Sequence, residues 1–196
     1  MDELEALNML LRLIGSSPVN SLDTPHPDAA NAKVTLDRVR RQTQRTSWWF
    51  NTDYGVTLYR DDKNEIVVPK EYASVVFVDD YLVLRGGKVY NKINQTNKHE
   101  SDVEAYLVIQ TLDWDNMPKI AQDYCAYTAG AQFIRDELED SNKARELKED
   151  AARSYVDLKN QDLTENKYNM FNKARVVKAR AGVRPYSQSL SFLRQK

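Results

Sequence analysis

The chain is short of the residues that carry most protein chemistry. Its 196 residues hold one cysteine, Cys125, and two histidines, His26 and His99. One thiol closes no intrachain disulfide, and a reducing compartment is the default for such a chain. Two widely separated histidines and one cysteine match no zinc spacing. As a nucleophile Cys125 would need a histidine partner. Both histidines stand in polar stretches, so a buried structural cysteine is expected. Glycine is scarce too: Gly86-Gly87 lacks the Lys-Ser/Thr pair that follows in a phosphate-binding loop. Neither a cofactor nor a metal is expected. No apolar run reaches the roughly 18 residues of a membrane span. The opening "MDELEALNMLLRLIG" has acids where a signal peptide needs bases, so none is expected. The formal net charge of -1 argues against a chain whose main task is coating nucleic acid.

What is present suits one domain, or one domain with appendages: 41% hydrophobic and 10% aromatic residues can build a core. Leu4, Leu7, Leu11 and Ile14 fall at helical spacing, and Gly15 stops the helix. "SLDTPHPD" is a turn-rich link. Asp28 is placed to cap a second helix running to about Thr46, with Ala29, Ala32, Leu36 and Val39 as its apolar stripe. Arg38, Arg41 and Arg45 form another stripe, either a solvated face or one that meets an acidic or phosphate-bearing partner.

From about 49 to 112 the period changes to two. Residues 66–68, 74–78 and 81–84 are strand-like by β-branching and aromatics. "RGGKVY" is a hairpin candidate. "VEAYLVIQTL" at 103–112 is the longest strand, with Val103, Ala105, Leu107 and Ile109 expected on one side. Pro118 opens a third helix whose expected buried face is Ile120, Tyr124, Tyr127, Ala131, Ile134 and Leu138. A charged helical run follows with a stripe of Leu147, Ala151, Tyr155 and Leu158. Asp162 and Glu165 are spaced as a capping box, predicting a new helix start. Gly182 and Pro185 end that helix, and the last residues read as an extended tail.

Charge is uneven along the chain. From Lys167 onward there are eight Lys or Arg and no acid, while residues 136–150 hold seven acids and three bases. One end is built to be attracted to something acidic, which a neighbouring copy could supply.

Catalytic readings find little support. Asp61-Asp62 and Asp79-Asp80 sit at expected turns, where aspartate favours local backbone bonds. Asp113 and Asp115 flank Trp114, but glycoside hydrolysis needs two carboxylates at a set separation that a sequence does not show. Trp48, Trp49 and Phe50 raise a second question, since aromatics beside arginines can stack on bases. A stacking platform spreads its aromatics along an exposed groove. Three consecutive side chains diverge, so at least one tryptophan should enter the core. Each buries roughly 150–250 Å², several kcal/mol at about 25 cal/mol per Å². These residues are therefore expected to form a structural joint between helix and sheet.

The segments "LNMLLRLIGSSPVNSL", "DAANAKVTLDRVRRQTQRTSWWFNTDYGVTL", "DDYLVLRGGKVYNKINQT" and "DNMPKIAQDYCAYTAGAQF", with Tyr168-Asn169-Met170 near the end, occur in an order that resembles the tail tubular protein A family of T7-like short-tailed bacteriophages. The resemblance covers nearly the whole chain. It implies a non-enzymatic virion protein, a head-to-tail adaptor forming a twelvefold ring under the portal protein. Such a ring continues the DNA channel without sequence-specific contacts, seats the tail nozzle protein (tail tubular protein B) and supports tail fibre attachment. It is assembled in the bacterial host cytoplasm and has no membrane role. The implied fold is α+β, a bundle of N- and C-terminal helices with an inserted antiparallel β-sheet region. The expected division is a helical hairpin at 1–48, the sheet region at 49–112, helices at 113–181 packing on 1–48, and an extended tail at 182–196.

With that expectation, Arg175, Lys178, Arg180 and Arg184 become candidates for binding the portal or a neighbouring subunit, with Tyr186, Leu190 and Phe192 as apolar anchors. A tail-associated polysaccharide hydrolase and a nucleic-acid-binding module using Arg38, Arg41 and Arg45 are the competing classes.

Overall fold

The computed structural model describes residues 1–138 and 141–172. The fold is α+β: helices from both ends of the chain form a bundle, and an antiparallel sheet region is inserted between them. The chain divides into two units, Met1–Lys159 and Asn160–Lys196.

In the first unit, α1 (Glu3–Leu13) starts with a capping box. The Asp2 carboxylate accepts from Glu5 N, and the Glu5 side chain accepts from Asp2 N. Ala6, Leu7, Leu10 and Leu11 are its buried face. Gly15 follows at φ +75°, a conformation open to a residue without Cβ. The next helix, α2 (Pro27–Thr43), buries the expected Ala29, Ala32, Leu36 and Val39. Its cap differs from expectation. His26 holds the cap position, with Nδ1 accepting from Ala29 N, and Pro27 opens the first turn. Asp28 lies inside the helix and accepts from the Ser16 hydroxyl.

The sheet region has two parts. Strands β1 (Thr52–Leu58), β5 (Val103–Gln110) and β2 (Tyr72–Phe77) form an antiparallel sheet in the order β1-β5-β2. Strands β3 (Leu82–Arg85) and β4 (Lys88–Asn91) form a hairpin. Its turn residues Gly86 and Gly87 sit at φ +60° and +76°, as a type I′ turn requires. The expected strand at 66–68 makes only an isolated bridge, Val67 to Lys88. Pro69 follows immediately, and its missing N–H prevents a longer ladder.

Alternation along β5 also departs from expectation. Val103, Ala105, Val108 and Ile109 are buried, whereas Leu107 is only half-buried. The register against β2 shifts between Val76 and Phe77, which pair with Leu107 and Ala105. A bulge of this kind leaves one residue unpaired and disturbs the strict two-residue period. Ala105 and Val108 then join Leu58, Ile66, Val68, Phe77, Leu82 and Val89 in one apolar cluster.

After a single 3-10 turn at Trp114–Asn116, α3 (Lys119–Leu138) packs against both α1 and α2. Pro118 stands just ahead, its carbonyl accepting from Ala121 N and Gln122 N. The buried face of α3 is made mainly of small residues. Ala121, Cys125, Ala126, Ala129 and Gly130 line it, with Phe133 and Ile134 beyond. Ala131 and Ile134 are buried as expected, but Ile120, Tyr124 and Tyr127 are half-buried and Leu138 is exposed. Small side chains let two neighbouring helices approach closely, so the larger aromatic residues flank the contact instead of filling it.

The last described helix, α4, spans Ser141–Asn172. In its first part Ala144, Ala151 and Leu158 are buried, Leu147 is half-buried and Tyr155 is exposed. Leu158 joins Leu7, Leu10, Leu36, Trp48 and Phe133 in the helical core. The predicted helix start near Asp162 is not found, because α4 is continuous there. Within the second unit the Asp162 carboxylate accepts from the Asn166 amide one turn on, and Thr164 Oγ1 donates to Asn160 O. Both are contacts of a helix interior.

Candidate interaction surfaces

The junction between helices and sheet is built from the end of α2. Trp48 is buried and its indole N–H donates to Thr43 O at 2.8 Å. Its ring stacks near Phe50, with centroids 6.4 Å apart, and meets Tyr155 edge-on. Lys159 Nζ lies 4.2 Å above the Trp48 ring. Trp49 and Phe50 are half-buried and packed on the same core.

Polar side chains complete the junction. Fully buried Gln44 accepts from Leu112 N at 2.7 Å and donates to Leu112 O at 2.9 Å. Asn51 Nδ2 donates to Gln44 O and Gln110 O, and its Oδ1 accepts from Trp48 N. Arg40 donates to Leu112 O and pairs with Asp37 and Asp113. Sequence reasoning missed this clasp. Gln44 follows Arg40 by four residues, which places both on one helix side, but no sequence signal says that this side faces the backbone at Leu112.

The three arginines singled out from the sequence are all exposed, yet they are not equivalent. Arg38 donates to Gln132 and pairs with Asp136, tying α2 to α3. Arg41 and Arg45 make no ion pair among the described residues, and Arg45 lies beyond the end of α2. Arg175, Lys178, Arg180, Arg184, Tyr186, Leu190 and Phe192 lie outside the described residues.

Several of the chemical candidates are engaged locally. Asp61 accepts from the backbone of Lys63 and Glu65, and Asp79 accepts from the Tyr81 hydroxyl. Asp113 pairs with Arg40, and Trp114 between the two acids is buried, donating to Met1 O. Burial pushes the Cys125 thiol up to about 11, so it carries no thiolate at neutral pH. His99 is buried with Nε2 3.0 Å from Val89 O. Among the described residues no three His, Cys, Asp or Glu side chains gather closely enough to hold a metal ion. No described helix is long and apolar enough to cross a membrane.

Two features among the described residues are concave. A polar cleft of about 920 Å³ lies in the sheet region, between the β2–β3 turn and the loop leading to β5, lined among others by Arg60, Asp79, His99, Asp102 and Glu104. A groove of two adjoining compartments, about 330 and 350 Å³, runs between α2, α3 and α4 beside Trp48.

The sequence matches the family model for tail tubular protein over residues 4–179, which takes in α1 but for its first residue, α2, α3, α4 and strands β1 to β5. The chain belongs to the tail tubular protein family. It is 32% identical over 153 residues to tail tubular protein A of Klebsiella phage KP34, an alignment covering 76% of this chain and 81% of that protein. As a tail tubular protein it is a structural component of a bacteriophage tail, and so of the virion. Membership of a structural family points to a role without catalysis.

Proposed function

We propose that this protein is the head-to-tail adaptor of its phage, a connector of twelve copies between the portal protein and the tail nozzle protein. The ring continues the channel through which the genome is ejected, and it supports tail fibre attachment. The observation that carries the reading is the extent of the family match, which runs through helical bundle and sheet region alike. The match therefore covers both layers that such an adaptor would place between two partners.

Charge fits this reading. In a head-to-tail ring one face of a subunit meets a different face of the next. The eight bases from Lys167 onward and the seven acids at 136–150 supply opposite signs at different places on one chain. Arg175, Lys178, Arg180 and Arg184 act as the basic contact, and Tyr186, Leu190 and Phe192 anchor it. Near-neutral total charge suits a conduit, because a strongly positive wall would hold the passing DNA.

Reversal of Arg175, Lys178 and Arg180 to glutamate tests the reading. The expected result is loss of ring formation or of portal docking, measured by particle size with and without portal. Normal assembly of the triple variant rules out the basic contact. Glycan cleavage that depends on Asp113 and Asp115 would favour a polysaccharide hydrolase. Steeply salt-dependent DNA binding through Arg38, Arg41 and Arg45 would favour a nucleic-acid module.

A further inference from the structure

The groove between α2, α3 and α4 has an unusual composition. Its two compartments share Tyr124, Thr128, Gln132 and Tyr155, and Trp48 forms one end. The charged residues in the lining are Arg135 and Lys148, and no acid is among them. Arg38 stands at the same rim through its bond to Gln132, and Lys159 lies over the Trp48 ring; Asp136 pairs with both Arg38 and Arg135, so the cations there outnumber the one acid they share. Aromatic walls with a cationic rim suit an occupant that offers both an apolar group and carboxylates.

The same chain carries such an element. The turn between β2 and β3, residues 78–81, presents Asp79 and Asp80 between two exposed apolar side chains, Val78 at 55% and Tyr81 at 38% exposure. The turn is held in shape by its own bonds. Leu82 N donates to Asp79 O, Lys92 N to Tyr81 O, Val78 N to Glu104 O, and the Tyr81 hydroxyl to Asp79 Oδ2. A pre-ordered turn loses little conformational freedom on docking.

We propose that this groove receives the β2–β3 turn of a second copy of this chain. The contact is heterologous, groove to turn, and so propagates from copy to copy, forming a ring when the rotation per copy closes. The inference rests on the ring reading above and names the surface through which neighbours meet. The basic C-terminal segment is the wrong occupant, since its eight bases would face Arg135 and Lys148. It is left to bind acidic surfaces elsewhere.

The test uses particles assembled from a mixture of two full-length variants, Asp80→Cys and Ala152→Cys. Ala152 lines the groove and is exposed, while the native Cys125 is fully buried and does not react. A short bis-maleimide should give a linked dimer in mixed particles and none in particles holding either variant alone. In parallel, Arg135→Glu with Lys148→Glu should weaken self-association by about tenfold or more, and adding Asp79→Lys with Asp80→Lys should restore it. Multi-copy rings with no mixed link, or links between two Asp80→Cys copies, overturn the inference and leave the ring reading intact. A groove reversal that spares assembly but abolishes DNA binding also overturns it, in favour of nucleic acid. A single copy per particle contradicts the ring reading itself, and the inference with it.

Discussion

Gln44 and the backbone of Leu112, 68 positions apart, exchange two hydrogen bonds in the core. This pair fixes the end of α2 to the chain that leaves β5, and so fixes the helical layer to the sheet. Arg40 also donates to Leu112 O, so truncating Gln44 orphans the Leu112 N–H more than its carbonyl. Gln44→Ala should therefore cost about 2–3 kcal/mol, combining an unmet donor with a cavity. Urea denaturation followed by tryptophan fluorescence measures it; a loss under 0.5 kcal/mol would mean that the clasp is dispensable.

The two neighbouring tryptophans should respond differently. Trp48→Ala removes a buried ring and its bond to Thr43 O, for about 3–5 kcal/mol. Trp49 is half-buried, so Trp49→Ala should cost only about 1–2 kcal/mol. Thermal melts of both variants check the order. Equal losses would contradict the assignment of Trp48 as the inserted ring.

At Gly130 α3 lies close to side chains of its neighbours. A Cβ placed there meets Leu13 Cδ1 at 3.1 Å, Met9 Cε at 3.5 Å and Leu147 Cδ1 at 3.6 Å. Alanine gains up to about 1 kcal/mol of helix propensity against a contact that a side-chain end can relieve, so Gly130→Ala should be close to neutral. Valine adds volume that the packed bundle must accommodate, at about 1–3 kcal/mol. A melting series over the two substitutions tests the tightness of this contact.

Cys125 gives the fold an alkaline weakness. Burial raises the thiol from 9.0 to about 11. Between those values the unfolded thiol gives up its proton while the native one keeps it. The native state then binds more protons, and stability falls as pH rises. The full effect of this one group is about 2–3 kcal/mol above pH 11 and vanishes below pH 8. Cys125→Ala should flatten the stability profile in that window, and native Cys125 should resist iodoacetamide at pH 8 until the chain unfolds.

Much of the fold was legible in the sequence. The stripe of Ala29, Ala32, Leu36 and Val39 and the Gly86-Gly87 turn report themselves through period and φ requirements, and the structure agrees. The misses have physical causes. Apolar size suggested Tyr124 and Tyr127 for the buried side of α3, but close helix packing selected Ala126, Ala129 and Gly130. Asp162 and Glu165 have capping-box spacing, but nothing interrupts α4 ahead of them. At the surface, the spacing of Arg38, Arg41 and Arg45 suggested one shared face. Arg40, between two of them, turned out to make the buried contact to Leu112, because partners distant in sequence decide which arginine is used. The groove between α2, α3 and α4 was invisible for the same reason: its walls come from three separate helices.

The central claim is that this polypeptide acts by assembling with copies of itself against a portal. Electron microscopy of the purified protein mixed with portal rings addresses it most directly. The account predicts a twelvefold ring of this protein seated on one face of the portal, with its channel continuous with the portal's. Protein that stays unattached to the portal, whether as single chains or as separate aggregates, would contradict it.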